Sequence, residues 1–94
     1  MKTRLECVIS GKVQGVFFRD FIQERAFELG LTGLVSNRHD GTVSFIAEGE
    51  KPQLEKLLVA AQAGPARAEV TNIDMQWLEP IGEFFTFSVV AGRE

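Results

Sequence analysis

Apolar and polar residues alternate from the start of the chain. Leu5, Cys7 and Ile9 fall on one side and Arg4, Glu6 and Val8 on the other, so Thr3 to Ser10 predicts a half-buried strand. Gly11 to Arg19 interrupts the pattern. Beyond it the apolar positions widen to helical spacing: Phe18, Ile22, Ala26 and Leu29 form a stripe with Phe21 beside it, while Gln23, Glu24 and Glu28 face away. This predicts a helix from Arg19 to Leu29, stopped by Gly30. Leu31 to Asn37 is a second short strand, and Arg38-His39-Asp40-Gly41 ends in the Asp-Gly pair that favours a hairpin. Thr42 to Glu48 follows as a third strand, with Val43, Phe45 and Ala47 alternating. After Gly49, Pro52 suits a first helical turn, and Leu54, Leu57, Leu58 and Ala61 give the second helix one apolar face, closed at Gly64-Pro65. Glu69 to Leu78 is a fourth strand, in which Val70 is out of phase with Ile73, Met75 and Trp77, as a bulge or a late start would make it. Pro80 to Gly82 is a turn, and Phe84 to Val90 a last strand with Phe85, Phe87 and Val89 on one side.

The order is strand, helix, strand, strand, helix, strand, with the last strand region split in two. That is the α+β, ferredoxin-like split βαβ pattern, an antiparallel sheet with two helices on one face. Residues 1–94 make a single domain, since a chain this short buries only roughly 60–70% of its unfolded surface and supports one core. No linker, repeat or low-complexity segment divides it.

Charge changes the picture more than composition does. Thirteen acids against ten bases give a net charge of −3, which argues against a dedicated nucleic-acid binder but permits a local positive pocket. Cys7 is the one cysteine, so neither an intramolecular disulfide nor a cysteine-based metal cluster is expected, and its place in the first strand makes it a small buried hydrophobe. His39 is the one histidine, which weakens any His-pair metal site or Ser-His-Asp triad. With no apolar leader and no run long enough to span a bilayer, a reducing cytoplasm is the default compartment, no membrane association is expected, and a monomer is the default state.

The candidate chemistry lies in Gly11-Lys12-Val13-Gln14-Gly15-Val16-Phe17-Phe18-Arg19, between the first strand and the first helix. Glycines let a backbone turn tightly and present successive N–H groups, here Gln14, Gly15, Val16, Phe17 and Phe18, and Arg19 stands where the helix begins. Bare amides, a helix N-terminus and a guanidinium make an anion site, most often for phosphate. A plain strand-to-helix turn with a surface arginine is the competing reading, and for the glycines alone it is the better one. A cation at a helix start is electrostatically unfavourable, however, which itself argues for an anionic partner.

The stretch resembles the first signature of the acylphosphatase family, Gly-x-Val-Gln-Gly-Val-x-Phe-Arg, through Gly11, Val13, Gln14, Gly15, Val16, Phe18 and Arg19 without a gap. A second family signature has Asn, three variable residues, Gly, x and Val, and here Asn37, Gly41 and Val43 fall in register. The resemblance covers nearly the whole chain. It implies the same α+β fold and a cofactor-free, metal-free enzyme that hydrolyses the carboxyl–phosphate bond of small acyl phosphates to a carboxylate and inorganic phosphate. It assigns Arg19 to phosphate binding and catalysis, and Asn37 to orienting the attacking water. Alone, Asn37 would be an ordinary turn asparagine; the pair of signatures favours the functional role.

Two positions depart from the family pattern. Leu34 replaces the usual aromatic, a packing variation, and Ser36 replaces a basic residue, a loss of charge beside Asn37 that Arg38, two residues on, would partly replace. Lys12 and Arg38 would add positive potential at the mouth of the site, and Phe17 could line its acyl side. Asp20 would support the helix start, His39 is a loop residue, and Glu48 and Glu50 look like a solvated strand end. Two other readings remain: a phosphate-binding regulatory module of the kind found within larger carbamoyl-phosphate-processing proteins, and an RNA-binding domain with Phe45 and Phe85 on an open sheet face. The strands near both ends of the chain favour a stand-alone protein over the first, and the acidic balance speaks against the second.

Overall fold

The computed structural model describes residues 1–90. Its elements are β1 (Lys2–Lys12), α1 (Phe18–Glu28), β2 (Thr32–Asn37), β3 (Val43–Glu50), α2 (Lys51–Ala63), β4 (Glu69–Leu78) and β5 (Phe87–Val90). One sheet of order β4-β1-β3-β2-β5 carries both helices on one face. The expected antiparallel pairing holds for β4 with β1, β1 with β3 and β3 with β2. The β2–β5 pair is parallel. The direction of β5 follows from connectivity: β4 finishes at the end of the sheet where β1 and β2 begin, and the chain crosses that end from one edge to the other before turning up beside β2.

The core lies between sheet and helices and matches the sequence periodicities. Leu5 and Ile9 of β1, Val35 of β2, Val43, Phe45 and Ala47 of β3, Ile22 and Ala26 of α1, and Leu54, Leu57 and Ala61 of α2 are each at most 1% exposed. Cys7 joins them, and burial pushes its thiol up to about 12, so it stays protonated and inert. At its C-terminus α1 closes with the Gly30 N–H on the Phe27 carbonyl and the Leu31 N–H on the Ala26 carbonyl.

The bulge foreseen near Val70 is present. Ser10 pairs with Asn72 but Gly11 pairs with Val70, leaving Thr71 as the extra residue of β4. Gly11 therefore belongs to β1 and not to the turn that follows. Its φ of 125° and the adjacent Glu69 carbonyl, which a Cβ would strike, explain the glycine as a close backbone approach between strands.

Two sequence expectations fail at the last strand and at Glu48. β5 starts at Phe87, three residues later than predicted, and Phe85 is 96% exposed and outside the sheet. Phe45 is in the core beneath the helices, so among the described residues no aromatic strand residue faces the open side of the sheet, and the RNA-binding reading loses both of its aromatics. Glu48 is only 6% exposed and not solvated. Its Oε2 accepts from Arg4 Nη1 at 2.8 Å and from the Ile81 N–H at 2.8 Å, and its Oε1 accepts from the Gly82 N–H at 2.9 Å. Arg4 also donates through Nε to Glu6 at 3.0 Å and lies 5.7 Å from the centroid of the Phe84 ring. This cluster fastens the 79–86 crossing to the sheet end and so fixes where β5 enters.

Burial opposes the charge on Glu48, but the Ile81 amide, the Arg4 guanidinium and the Gly82 amide together hold its carboxyl below the usual range. A depressed folded-state value contributes stability above the unfolded pKa of about 4.3, lost as pH falls through the folded value. Replacing Glu48 with Ala should destabilise by ~2 kcal/mol, less than the roughly 3–5 kcal/mol of breaking a buried pair outright, because Arg4 keeps Glu6 as a second carboxylate partner. In urea titrations, wild type should lose stability below about pH 4.3 more steeply than Glu48→Gln; equal pH slopes would show that the carboxylate carries no such load.

Candidate anion site at the β1–α1 turn

The opposite end of the sheet gathers the end of β1, the start of α1, the end of β2 and the end of β5. Burial alternates through the turn: Val13, Val16 and Phe18 are 1%, 5% and 1% exposed and pin it to the core, while Gly15 and Phe17 face out. Gly15 has φ 75°, with open space where a Cβ would sit. The glycine is needed for the backbone conformation and not for room. Phe17 takes the same left-handed region at φ 64°, ψ 29°, and is the N-cap of α1; its carbonyl accepts from the Phe21 N–H at 3.1 Å. No side chain among the described residues caps this helix start. The first N–H groups of a helix have no intrahelical acceptor, so they are left facing outward at the positive end of the helix dipole.

Val13, Gly15, Phe17, Phe18, Arg19, Asp20 and Asn37 line a cleft of about 380 Å³. The structure thus brings five of the seven expected site residues together: Gly15, Phe17, Phe18, Arg19 and Asn37. Val16 is turned into the core, and Gln14 is directed at the hairpin. Larger clefts, of about 450 Å³ beside residues 80–84 and about 670 Å³ between α1 and residues 86–87, contain neither Arg19 nor Asn37.

Arg19 is half-buried, and its Nη1 donates to the Val90 carbonyl at 3.1 Å. Val90 pairs with Ser36, the neighbour of Asn37, so this bond aims the guanidinium at the end of β2. Among the described residues no carboxylate pairs with Arg19, in contrast to Arg4 and Arg25. Asn37 closes β2 opposite Val43 and shares the helix-facing side with Val35.

Gln14 joins the two halves. Its Nε2 donates to the Arg38 carbonyl at 2.8 Å and to the Thr42 carbonyl at 2.9 Å, both in the β2–β3 turn. The turn is closed by Arg38 N–H to Thr42 carbonyl at 2.9 Å and by Asp40 Oδ1, which accepts from the Thr42 hydroxyl at 2.6 Å and its N–H at 3.1 Å. Those bonds, the hydroxyl first, hold the Asp40 carboxyl below its ordinary range. The sequence offered Gln14 as a backbone donor; the work of its side chain, and of the Val90 carbonyl, was not foreseen. A glutamine inside a glycine turn was the available hint for the first. Every residue has a carbonyl, so nothing marked the second.

The supporting cations are elsewhere. Lys12 ends β1 without lining the cleft. Arg38 lies past the end of β2 and lines a depression on the open sheet face with Glu6, Val8 and Ser44, so it does not stand in for a charge beside Asn37. Ser36 is 8% exposed and, by strand alternation, points to the opposite face from Asn37. The departure at this position therefore takes no charge from the cleft. His39 is exposed in the turn. Asp20 sits in the first turn of α1, where its charge complements the dipole. Among the described residues no cluster of three His, Cys, Asp or Glu side chains could hold a metal ion, and no helix is long and apolar enough to cross a membrane.

Residues 5–89 match the family model described as Acylphosphatase. The protein is 43% identical over 88 residues to an acylphosphatase of Pelotomaculum thermopropionicum, covering 94% of this chain and 96% of the relative. It superposes on the crystal structure of acylphosphatase from Bacillus subtilis with a TM-score of 0.91 at 34% identity, covering 96% of this chain and 99% of the other. Full-length HypF in a phosphate- and nucleotide-bound form contains the same fold, with a TM-score of 0.90 at 25% identity over 100% of this chain but only 12% of that one. The chain belongs to the acylphosphatase family.

Proposed function

We propose that the protein hydrolyses the carboxyl–phosphate bond of small acyl phosphates, releasing a carboxylate and inorganic phosphate, without a metal ion. The observation that carries this reading is a guanidinium with no carboxylate partner among the described residues, facing the uncapped start of α1 and Asn37 across one small cleft. The name shared by the relatives supports the same substrate class.

In this mechanism the phosphoryl group sits on the N–H groups of the Gln14–Phe18 turn, and Arg19 binds two of its oxygens in the fork geometry that a lysine lacks. These donors meet the charge on the equatorial oxygens as the group transfers. The Asn37 side-chain carbonyl accepts from a water and aims it at phosphorus opposite the leaving oxygen. The water oxygen bonds to phosphorus, the bond from phosphorus to the acyl oxygen breaks, its electron pair leaves with the carboxylate, and the water protons remain with phosphate and solvent.

No general acid is needed, because the conjugate acid of the leaving carboxylate has a pKa of about 4. With a loose transition state the water needs little early deprotonation, so positioning and charge stabilisation carry the reaction. An alkyl phosphate monoester, whose alkoxide must be protonated to leave, is a poor substrate for such a site.

With acetyl phosphate and a chelator present, Arg19→Ala and Asn37→Ala should each lower kcat about 100- to 1,000-fold, and Arg19→Lys should not restore it. Wild-type turnover that needs an added divalent cation, or that survives both substitutions, would contradict the mechanism. The same site also fits a second reading, phosphate binding without hydrolysis; calorimetric binding of inorganic phosphate that requires Arg19, with no turnover of any acyl phosphate, would establish it instead. Gln14→Ala should lower kcat while leaving phosphate inhibition largely intact, since its side chain holds the Asn37 turn and not the anion. An equal loss in both, measured by product inhibition, would place that side chain on the phosphate.

A further inference from the structure

We infer that the outer edge of β5, with the flank of α1 beside it, docks an extended basic peptide segment as an added antiparallel strand, its lysines or arginines at alternate positions facing Asp20 and Glu24.

The sheet order β4-β1-β3-β2-β5 leaves the far side of β5 without a partner strand among the described residues. Its register with β2 sets which backbone groups face out. Gly33 pairs with Phe87, and the Gly33 N–H donates to the Thr86 carbonyl at 2.9 Å, so Thr86 and Ser88 turn their groups to β2 while Phe87 and Val89 turn theirs away. The Phe87 carbonyl agrees, since it accepts from Gln23 Nε2 at 2.9 Å and not from a strand. A short edge strand is an ordinary way to end a sheet, and at the other edge β4 carries its bulge at Thr71, which twists an edge away from pairing. β5 differs: it pairs with β2 in unbroken register, and a cleft lies beside it.

That cleft, of about 670 Å³, is lined by Asp20, Gln23, Glu24 and Phe27 of α1 and by Thr86 and Phe87. Phe27 is 73% exposed, and among the described residues its ring joins neither the aromatic pair nor a cation–π contact. Asp20 and Glu24 make no ion pair among the described residues, whereas Glu28 on the same helix is held by Arg25. A groove between an edge strand and a helix suits an added strand: main-chain bonds hold it, and the helix wall reads every second side chain.

Spacing and charge choose the occupant. Phe87 and Val89 turn their side chains toward the helices, and residues opposite them on an added strand do the same. Alternate residues of a strand are ~7 Å apart, and Asp20 and Glu24 are one helical turn, ~6 Å, apart along α1. Two cations at alternate positions therefore meet two carboxylates, and an apolar residue at the next such position covers Phe27. A second copy fits badly. Pairing β5 with β5 about a two-fold axis sets the two α1 flanks side by side, with Asp20 and Glu24 against their own kind.

Asp20 also lines the anion cleft, so the test uses Glu24 and Phe27, which do not. A fluorescein-labelled heptapeptide of alternating lysine and valine is titrated by anisotropy at low salt against wild type, Glu24→Lys and Phe27→Ala. Wild type should bind it, with Kd rising about tenfold in Glu24→Lys and roughly threefold to tenfold in Phe27→Ala. Hydrogen exchange at the Phe87 and Val89 amides should slow with peptide bound. N-methylating the backbone at the lysines, which removes the ladder N–H groups and keeps the charge, should abolish binding. No binding to wild type would overturn the inference. So would binding that survives N-methylation and both substitutions, which would be general attraction of cations. Self-association in sedimentation, with those two amides protected before peptide is added, would assign the edge to a second copy and overturn it too. These readouts need no turnover, so failure of docking and failure of the hydrolase reading are told apart.

Discussion

The Gln14 side-chain amide, bonded to two carbonyls of the β2–β3 turn, is the constraint on which the site depends. The turn after β1 and the turn after β2 are separate in sequence, and each would be a mobile surface loop by itself. The two bonds make them one unit. With Val13, Val16 and Phe18 pinning one half and the β2–β3 ladder holding the other, the start of α1 and Asn37 face each other across a cleft that no element could build alone. Arg19 is then set from a third direction through the Val90 carbonyl, so β5 contributes to the site through its backbone.

The two ends of the sheet differ in kind. At one, Arg4 and Glu48 form a buried pair completed by backbone amides, with its charges matched and its hydrogen bonds closed. At the other, the cation has no carboxylate among the described residues and the helix start has no cap. The first arrangement stabilises the fold, and the second leaves positive charge unmatched among the described residues, which is what the proposed anion site needs. The link between them is β5: the Glu48 cluster fixes where the crossing chain turns up, and β5 delivers Val90 to Arg19.

The sequence made the local elements legible because their periodicities are clean. Phe18, Ile22 and Ala26 recur at helical spacing, and Val43, Phe45 and Ala47 at strand spacing, and each set is buried. The out-of-phase Val70 marked a real bulge. Arg19 and Asn37 were legible through two signatures rather than through either residue. Non-local consequences were not. Glu48 beside Gly49 reads as solvated until the 79–86 crossing covers it, and nothing near Phe87 states that its partner is β2 or that the pairing is parallel. Arg38 does share the face of Ser36, as alternation requires, but that is the open face of the sheet and not the face of Asn37, so its charge falls outside the cleft. The exposed Phe85 shows the same limit: alternation at 85, 87 and 89 fits a strand, but no partner reaches residue 85.

The central claim is that these parts direct water at phosphorus and not at the acyl carbon. Hydrolysis of acetyl phosphate in water enriched in the heavy oxygen isotope tests it directly, with the label followed by mass spectrometry of both products. The account predicts the label in inorganic phosphate and unlabelled acetate. Label in the acetate would mean attack at the carbonyl carbon, and would contradict the roles given to Arg19, Asn37 and the turn between them.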